Sequence, residues 1–274
     1  MDALNQSIEA HYLKENLYGE ILNRLKEKGV DLNHVQRSDI AGVDEFHVRG
    51  AAVSKELAST LPLKGLKVLD MGSGLGGPCR LLADEYDCHA TGIDLSTEFV
   101  HTANALSKLA GLSQKTHFVQ GSATELPFED NSFDVVWTQH VQMNIPDKQK
   151  FYSEAYRVLR PGGHFLFYDI FRKNDDLVTY PMPWAAHEGL SFLFKGEEMA
   201  KIMAELGFTL KSKTDQTEAG IEFFTSLLAR LKAYGPPTLG LNVLMGESTK
   251  PKLTNLLEHF QKGILLLESG VYQK

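Results

Sequence analysis

The stretch Lys67-Val-Leu-Asp-Met-Gly-Ser-Gly-Leu-Gly-Gly-Pro78 constrains the fold more than any other part of the chain. Val68 and Leu69 read as a buried strand that Asp70 closes. Gly72, Gly74, Gly76 and Gly77 strip the side chains from a tight turn. Pro78 then sits in the first turn of a helix, where a missing N–H costs nothing. A strand, a glycine turn and a helix N-terminus make a nucleotide-type cofactor site. Backbone N–H groups face the ligand, and no Cβ blocks its approach.

The pattern around this stretch extends the same reading. Strands are expected at 67–71, 90–94, 116–120, 133–138 and 164–170. Helices are expected at about 77–87, 96–109 and 147–159, with Ser96 and Asp147 as N-caps and Pro161-Gly-Gly163 ending the last. Alternation of this kind, with near-continuous apolar strands, means a parallel sheet covered by helices on both faces. Ahead of it, residues 1–35 read as helical: Tyr12, Leu13, Leu17, Ile21, Leu22 and Leu25 recur at helical spacing. This part is either an amphipathic cap or a lid carrying Tyr12 or Tyr18. A helix at 51–60 follows the His47–Arg49 pair. Beyond 170 the alternation stops. Tyr180-Pro-Met-Pro-Trp184 is followed by expected helices at 197–206, 218–234 and 248–262 and strands at 208–215 and 263–272. The organisation expected is a cap over 1–65 and a main domain over 66–274, with insertions at about 171–200 and 218–262.

Composition narrows the partners. The 274 residues carry a formal net charge of −7, which argues against a nucleic-acid partner. Two cysteines without a CxxC spacing need no disulfide framework and suit a reducing cytoplasm. No apolar run approaches the ~18 residues of a membrane span, and no signal peptide is visible at the first residues. The ten histidines are scattered, with no H-x-x-x-H or Cys/His cluster, so no metal site is expected.

Gly72, Gly74 and Gly77 satisfy G-x-G-x-x-G, which leaves a dinucleotide dehydrogenase or a non-catalytic binding module open. Asp70 points elsewhere, because a carboxylate at the mouth of the turn repels a pyrophosphate and suits an ammonium group. Asp94, 22 residues after Gly72, closes the second strand, where an acid can accept both hydroxyls of a ribose. Small residues at Gly121-Ser-Ala123 leave room for a flat base. An amino acid at one end and adenosine at the other describe S-adenosylmethionine (SAM).

Five segments resemble, in order, the motif series of class I SAM-dependent methyltransferases. They are Val68–Gly77, Gly92-Ile-Asp-Leu95, Ala123–Phe128, Phe133–Trp137 and Val158–Gly163. The resemblance implies a Rossmann-like seven-stranded sheet with its last strand antiparallel, and S-adenosyl-L-homocysteine as product. A narrower resemblance, to the sarcosine/dimethylglycine N-methyltransferases that make glycine betaine, rests on Phe46–Gly50, Gln139–Ile145, Phe151–Arg157, Tyr168–Phe171 and Tyr180–Ala185. Ubiquinone/menaquinone C-methyltransferases share much of 65–170, so an apolar or quinone-like acceptor is the alternative.

The cofactor contacts expected are Asp70, Gly72, Ser73, Gly74, Gly76, Asp94, Leu95, Ser122, Ala123 and Gln139. Gln139, His140 and Asp169 are candidates for freeing or orienting the acceptor's lone pair, since amines of this kind are mostly protonated near neutral pH. His140 either accepts a proton or only hydrogen-bonds the cofactor's methionine moiety or a backbone carbonyl; Asp169 is either a substrate contact or a structural acid. For a carboxylate-bearing amine, Arg49 and Arg172 offer guanidinium forks, and Tyr168, Tyr180 and Trp184 an aromatic wall for a quaternary product. His47 joins these as a substrate contact.

Overall fold

The computed structural model describes residues 5–7 and 16–274. Seven strands form one sheet: β1 (Lys67–Met71), β2 (His89–Asp94), β3 (Thr116–Gln120), β4 (Phe133–Gln139), β5 (Leu159–Arg172), β6 (Thr209–Asp215) and β7 (Leu265–Gln273). Their order is β3-β2-β1-β4-β5-β7-β6. The first five are parallel, and β7 runs antiparallel to both β5 and β6. This is the expected seven-stranded Rossmann-like sheet. The order reverses between β1 and β4, the place where an open α/β sheet leaves a crevice beyond the strands' carboxyl ends.

Ten α-helices among the described residues surround the sheet: α1 (Leu17–Glu27), α2 (Arg37–Asp44), α3 (Ala51–Ala58), α4 (Gly77–Glu85), α5 (Thr97–Leu109), α6 (Lys148–Val158), α7 (Gly196–Leu206), α8 (Thr217–Tyr234), α9 (Asn242–Met245) and α10 (Thr249–Gln261). The expected caps are in place. Ser96 Oγ accepts the Phe99 N–H, and Asp147 Oδ1 accepts the Lys150 N–H at 2.8 Å.

The sheet is buried on both faces because successive side chains alternate. Val68, Val135, Trp137, Leu166 and Tyr168 face one cluster, closed by Val53 and Leu57 of α3 and by Phe224 and Phe260 of α8 and α10. Leu69, Met71, Val136, Phe165 and Phe167 face the other, closed by α6 and α7. A third cluster joins α1 and α2 to α5 and to Leu75 of the glycine turn.

Two details depart from the sequence reading. The Pro161-Gly-Gly163 break is absorbed into β5, which starts at Leu159. Its pairing shifts between Phe133 and Val135, so an irregularity in register takes up the extra residues. The helix α2 was not anticipated. Its apolar signal is only Ile40 and Val43, and its start is held by Asp39 Oδ2 accepting the Gln36 N–H at 2.8 Å. The helical expectation over 1–35 covers α1, whereas Tyr12 and Leu13 lie outside the described residues.

Candidate active site

A cleft of about 340 Å³ opens at the carboxyl ends of β1, β2, β3 and β4. Its floor is the turn after β1. Gly74, at φ +52°, has nothing within 4 Å of where a Cβ would stand, so the backbone there is open to a ligand. Gly72, Ser73, Leu95, Ser122 and Ala123 also line the cleft. Gly76 does not. A Cβ on it would meet the Phe118 ring.

Two acids stand at the ends of neighbouring strands. Asp94 is held by its own turn: Oδ2 accepts the Gly74 N–H at 2.8 Å and Oδ1 the Ser96 N–H at 2.9 Å. These two backbone bonds orient the carboxylate at the strand end, beside the cleft it lines. Asp70 is buried, and the Cys79 thiol donates to its Oδ2 at 3.5 Å. Burial, with the Asp94 charge nearby, pushes its pKa up to about 7. A cation placed against Asp70 would relieve both effects. The Ser73 hydroxyl is buried with no hydrogen-bond partner among the described residues. An open turn, an orphaned hydroxyl, a carboxyl short of a cation and an oriented carboxylate fit a SAM-like molecule.

The opposite end of the cleft is built from the end of β4, the turn after it and the segment after α2; Tyr168 of β5 lies behind it and does not line it. Phe46, His47, Gln139 and His140 line it. Gln139 pairs in register with Tyr168, and the His140 N–H donates to the Tyr168 carbonyl at 2.9 Å. The rings converge: His140 and Tyr168 lie edge-on at 5.0 Å, and His47 is 6.1 Å from His140. Gln139 Oε1 accepts from the Trp137 indole at 2.9 Å and from the Ser54 hydroxyl at 3.2 Å. Gln139 Nε2, His140 Nε2 and the Tyr168 hydroxyl are buried with no hydrogen-bond partner among the described residues. Burial holds His140 well below the usual histidine range, and His47 lowers it further, so the imidazole is neutral. It is fixed at φ +56°, a left-handed conformation rare for such a side chain.

The remaining candidates are not brought to this cleft. Asp169 is buried behind it, and its oxygens accept backbone N–H groups of Val141, Gln142 and Ile170. It fixes the turn after β4 and does not line the cleft. Arg49 pairs with Glu56 and donates to Gln216 Oε1 at 2.9 Å. Arg172 donates to the carbonyls of Asn174 and Asp176. Trp184 is core, its indole donating to Ser191 Oγ at 3.0 Å, and half-buried Tyr180 turns to the same serine. No lining residue falls between 171 and 262; the cap supplies that wall instead, through Asp44, Phe46 and His47. Tyr18 packs into the cap cluster and does not line the cleft.

Sequence reasoning passed over Glu45 and Ser54. Ser54 Oγ lies 3.3 Å from Glu45 Oε2 and 3.2 Å from His47 Nε2. An acid two residues before a histidine was the available signal. The described residues hold no group of three His, Cys, Asp or Glu placed to bind a metal. None of their helices is long and apolar enough to cross a membrane.

Residues 69–167 match the methyltransferase-domain family. They contain the glycine turn, Asp94 and the β4 end of the cleft, so the matched stretch is the one that builds the floor of the site. The chain is 36% identical over 167 residues to a sterol 24-C-methyltransferase of Gibberella zeae, covering 58% of this chain and 44% of that one. It is also 36% identical over 108 residues to a sarcosine/dimethylglycine N-methyltransferase of Halorhodospira halochloris, covering 39% of each. It thus spans less than half the length of these relatives. A geranyl diphosphate C-methyltransferase from Streptomyces coelicolor, solved with S-adenosyl-L-homocysteine, shares the fold with a TM-score of 0.72 at 15% identity, over 99% of this chain and 98% of that one.

Proposed function

We propose that this chain is a SAM-dependent methyltransferase acting on a small amine, with sarcosine and dimethylglycine as its acceptors. The observation that carries the cofactor assignment is the pair of strand-end acids, Asp70 and Asp94, flanking an open Gly74. In this reading Asp94 holds the ribose hydroxyls, Asp70 the ammonium group, and the 121–123 turn the adenine. When bound, SAM supplies a methyl group on a sulfonium, already activated for in-line transfer to a lone pair. The chain's part is then placement, which contributes roughly 7–11 kcal/mol in favourable cases. Two buried free thiols suit a reaction run in a reducing cytoplasm.

The acceptor end supports a small polar molecule. An apolar acceptor would cover Gln139 Nε2 and His140 Nε2 and leave them unsatisfied, at about 1–3 kcal/mol each. The two oxygens of an amino acid would meet such donors without an arginine fork. A sterol-like acceptor is the second reading, favoured by the Gibberella zeae relative and by the withdrawal of Arg49 and Arg172 from the cleft.

Calorimetry with SAM, S-adenosylhomocysteine and NAD tests the cofactor. The first two bind, and Asp94→Ala weakens them about tenfold or more, the scale of one charge-assisted hydrogen-bonded contact. Equal affinity in that variant removes the ribose assignment. Label transfer from methyl-labelled SAM to sarcosine, dimethylglycine or a sterol then separates the two acceptor readings.

A further inference from the structure

Glu45 and His47 form a buried acid–imidazole pair at the acceptor end that the methyl donor does not need. Glu45 follows α2 directly; His47 lies two residues on, and both side chains are turned inward. Glu45 Oε2 is 3.2 Å from His47 Nε2, with side-chain exposures of 6% and 3%. The same Nε2 lies 3.0 Å from the Gly50 carbonyl. A carbonyl can only accept, so Nε2 carries the hydrogen. Nδ1 is therefore the basic nitrogen of the ring that lines the cleft. Glu45 Oε1 has no hydrogen-bond partner among the described residues.

We propose that His47 takes the proton from the acceptor's ammonium group and passes its own to Glu45. The proposal rests on the amine reading above. In the transfer the acceptor's N–H bond breaks and an Nδ1–H bond forms; the Nε2–H bond breaks and an Oε2–H bond forms. The acceptor nitrogen keeps the electron pair that methyl transfer requires. His47 is neutral before and after, having exchanged one tautomer for the other. Ser54 Oγ, 3.2 Å from Nε2, turns its hydroxyl to the nitrogen once that nitrogen has given up its hydrogen. Glu45 and Ser54 act through His47 and are positioning residues; His47 alone meets the acceptor.

The electrostatics fit a relay better than a lone imidazole. Burial drops His47 to about 4, which makes it a poor resting place for a proton. Burial and the neighbouring Asp44 charge push Glu45 up to about 8, against smaller opposing effects of Ser54, Arg37 and Arg80. The charged and titrating groups facing Glu45 are thus Asp44 and Arg37 of α2, Arg80 of α4 and His47 itself. Glu45 accepts a proton only when ionised, so turnover rises with pH through about 8.

Two measurements on the full chain bound to S-adenosylhomocysteine or SAM test this. In the first, 15N-histidine spectra of the homocysteine complex need no acceptor. His47 carries its hydrogen on Nε2, and its ring signals step near pH 8 in the wild type but not in Glu45→Gln. A hydrogen on Nδ1, or identical titrations in both proteins, overturns the relay. In the second, methyl transfer to dimethylglycine is followed against pH. His47→Asn lowers kcat about 100-fold, with S-adenosylhomocysteine affinity unchanged within about twofold, as expected where only the acid–base contribution is removed. The wild type levels off above pH 8, whereas Glu45→Gln keeps climbing with the free-amine fraction. Full turnover in His47→Asn, or superposable profiles, also overturns it. If the wild type transfers no label while the spectra behave as described, the acceptor reading falls and the coupled pair stands.

Discussion

Burial holds the proton on Asp70 up to about pH 7, whereas an exposed aspartate releases it near 3.8. A raised carboxyl pKa favours the fold only while the group is protonated. Its contribution is whole below 3.8 and is lost as pH rises toward 7. Asparagine stays neutral throughout. Asp70→Asn should therefore gain thermal stability relative to the wild type between pH 4 and 7, read as a widening difference in Tm. Parallel curves would mean that Asp70 ionises freely in the fold. The same variant separates stability from binding, because a ligand ammonium selects the ionised acid. SAM affinity should rise with pH in the wild type and stay flat in the variant. Asp70 and Asp94 were legible from their spacing to the glycines, since a strand end fixes where a side chain emerges. Arg172, Tyr180 and Trp184 were chosen by chemical type alone. Nothing local in their sequence reveals that Ser191 and two loop carbonyls claim them first. Glu45 was missed for the converse reason: its role depends on Ser54, nine residues away, and on Gln139 across the fold.

The turn from β1 into α4 places two glycines under different demands. A Cβ on Gly77 would stand 1.9 Å from the Asp44 carbonyl oxygen, so the start of α4 and the end of α2 are in backbone contact. A Cβ on Gly74 would meet no atom of the described residues, so its demand is conformational and reserved for the ligand. Gly77→Ala should destabilise the fold by about 1–3 kcal/mol, the usual cost of overpacking. Gly74→Ala carries the roughly 1–2 kcal/mol of a left-handed alanine, but loses SAM affinity beyond that because its methyl group enters the cleft. Urea unfolding and calorimetry on both variants check the contrast. If Gly77→Ala loses affinity at full stability, α2 has room to withdraw from the turn. At this scale the sheet was readable because each strand carries its own apolar run. The helix α2 was not, since one short turn of Ile40 and Val43 becomes amphipathic only against α4 and α5.

Residues 48–63 are part of the core as well as a cover for it. Val48, Val53, Leu57 and Leu63 share one cluster with Val68, Trp137 and Tyr168 of the sheet. Asp44 forms a fully buried pair with Arg80, whose guanidinium also donates to the Ala103 carbonyl and to Ser107 at 3.1 Å. Breaking such a pair strands a charge away from water, so Asp44→Asn should cost about 3–5 kcal/mol. Replacing Arg80 by Met in the same chain removes the stranded charge and should restore much of that loss. If the cap were a separate unit, the double variant would change only cleft affinity and leave global stability as it was. Both tryptophans, Trp137 and Trp184, lie in the cluster that α3 closes. Their fluorescence therefore reports the sheet, while far-ultraviolet dichroism weighs all the helices, the cap's included. In the wild type the two signals should trace one coincident urea transition. Early loss of helical signal, before the tryptophans respond, would mean that the cap unfolds alone and that the wall carrying His47 is a movable lid.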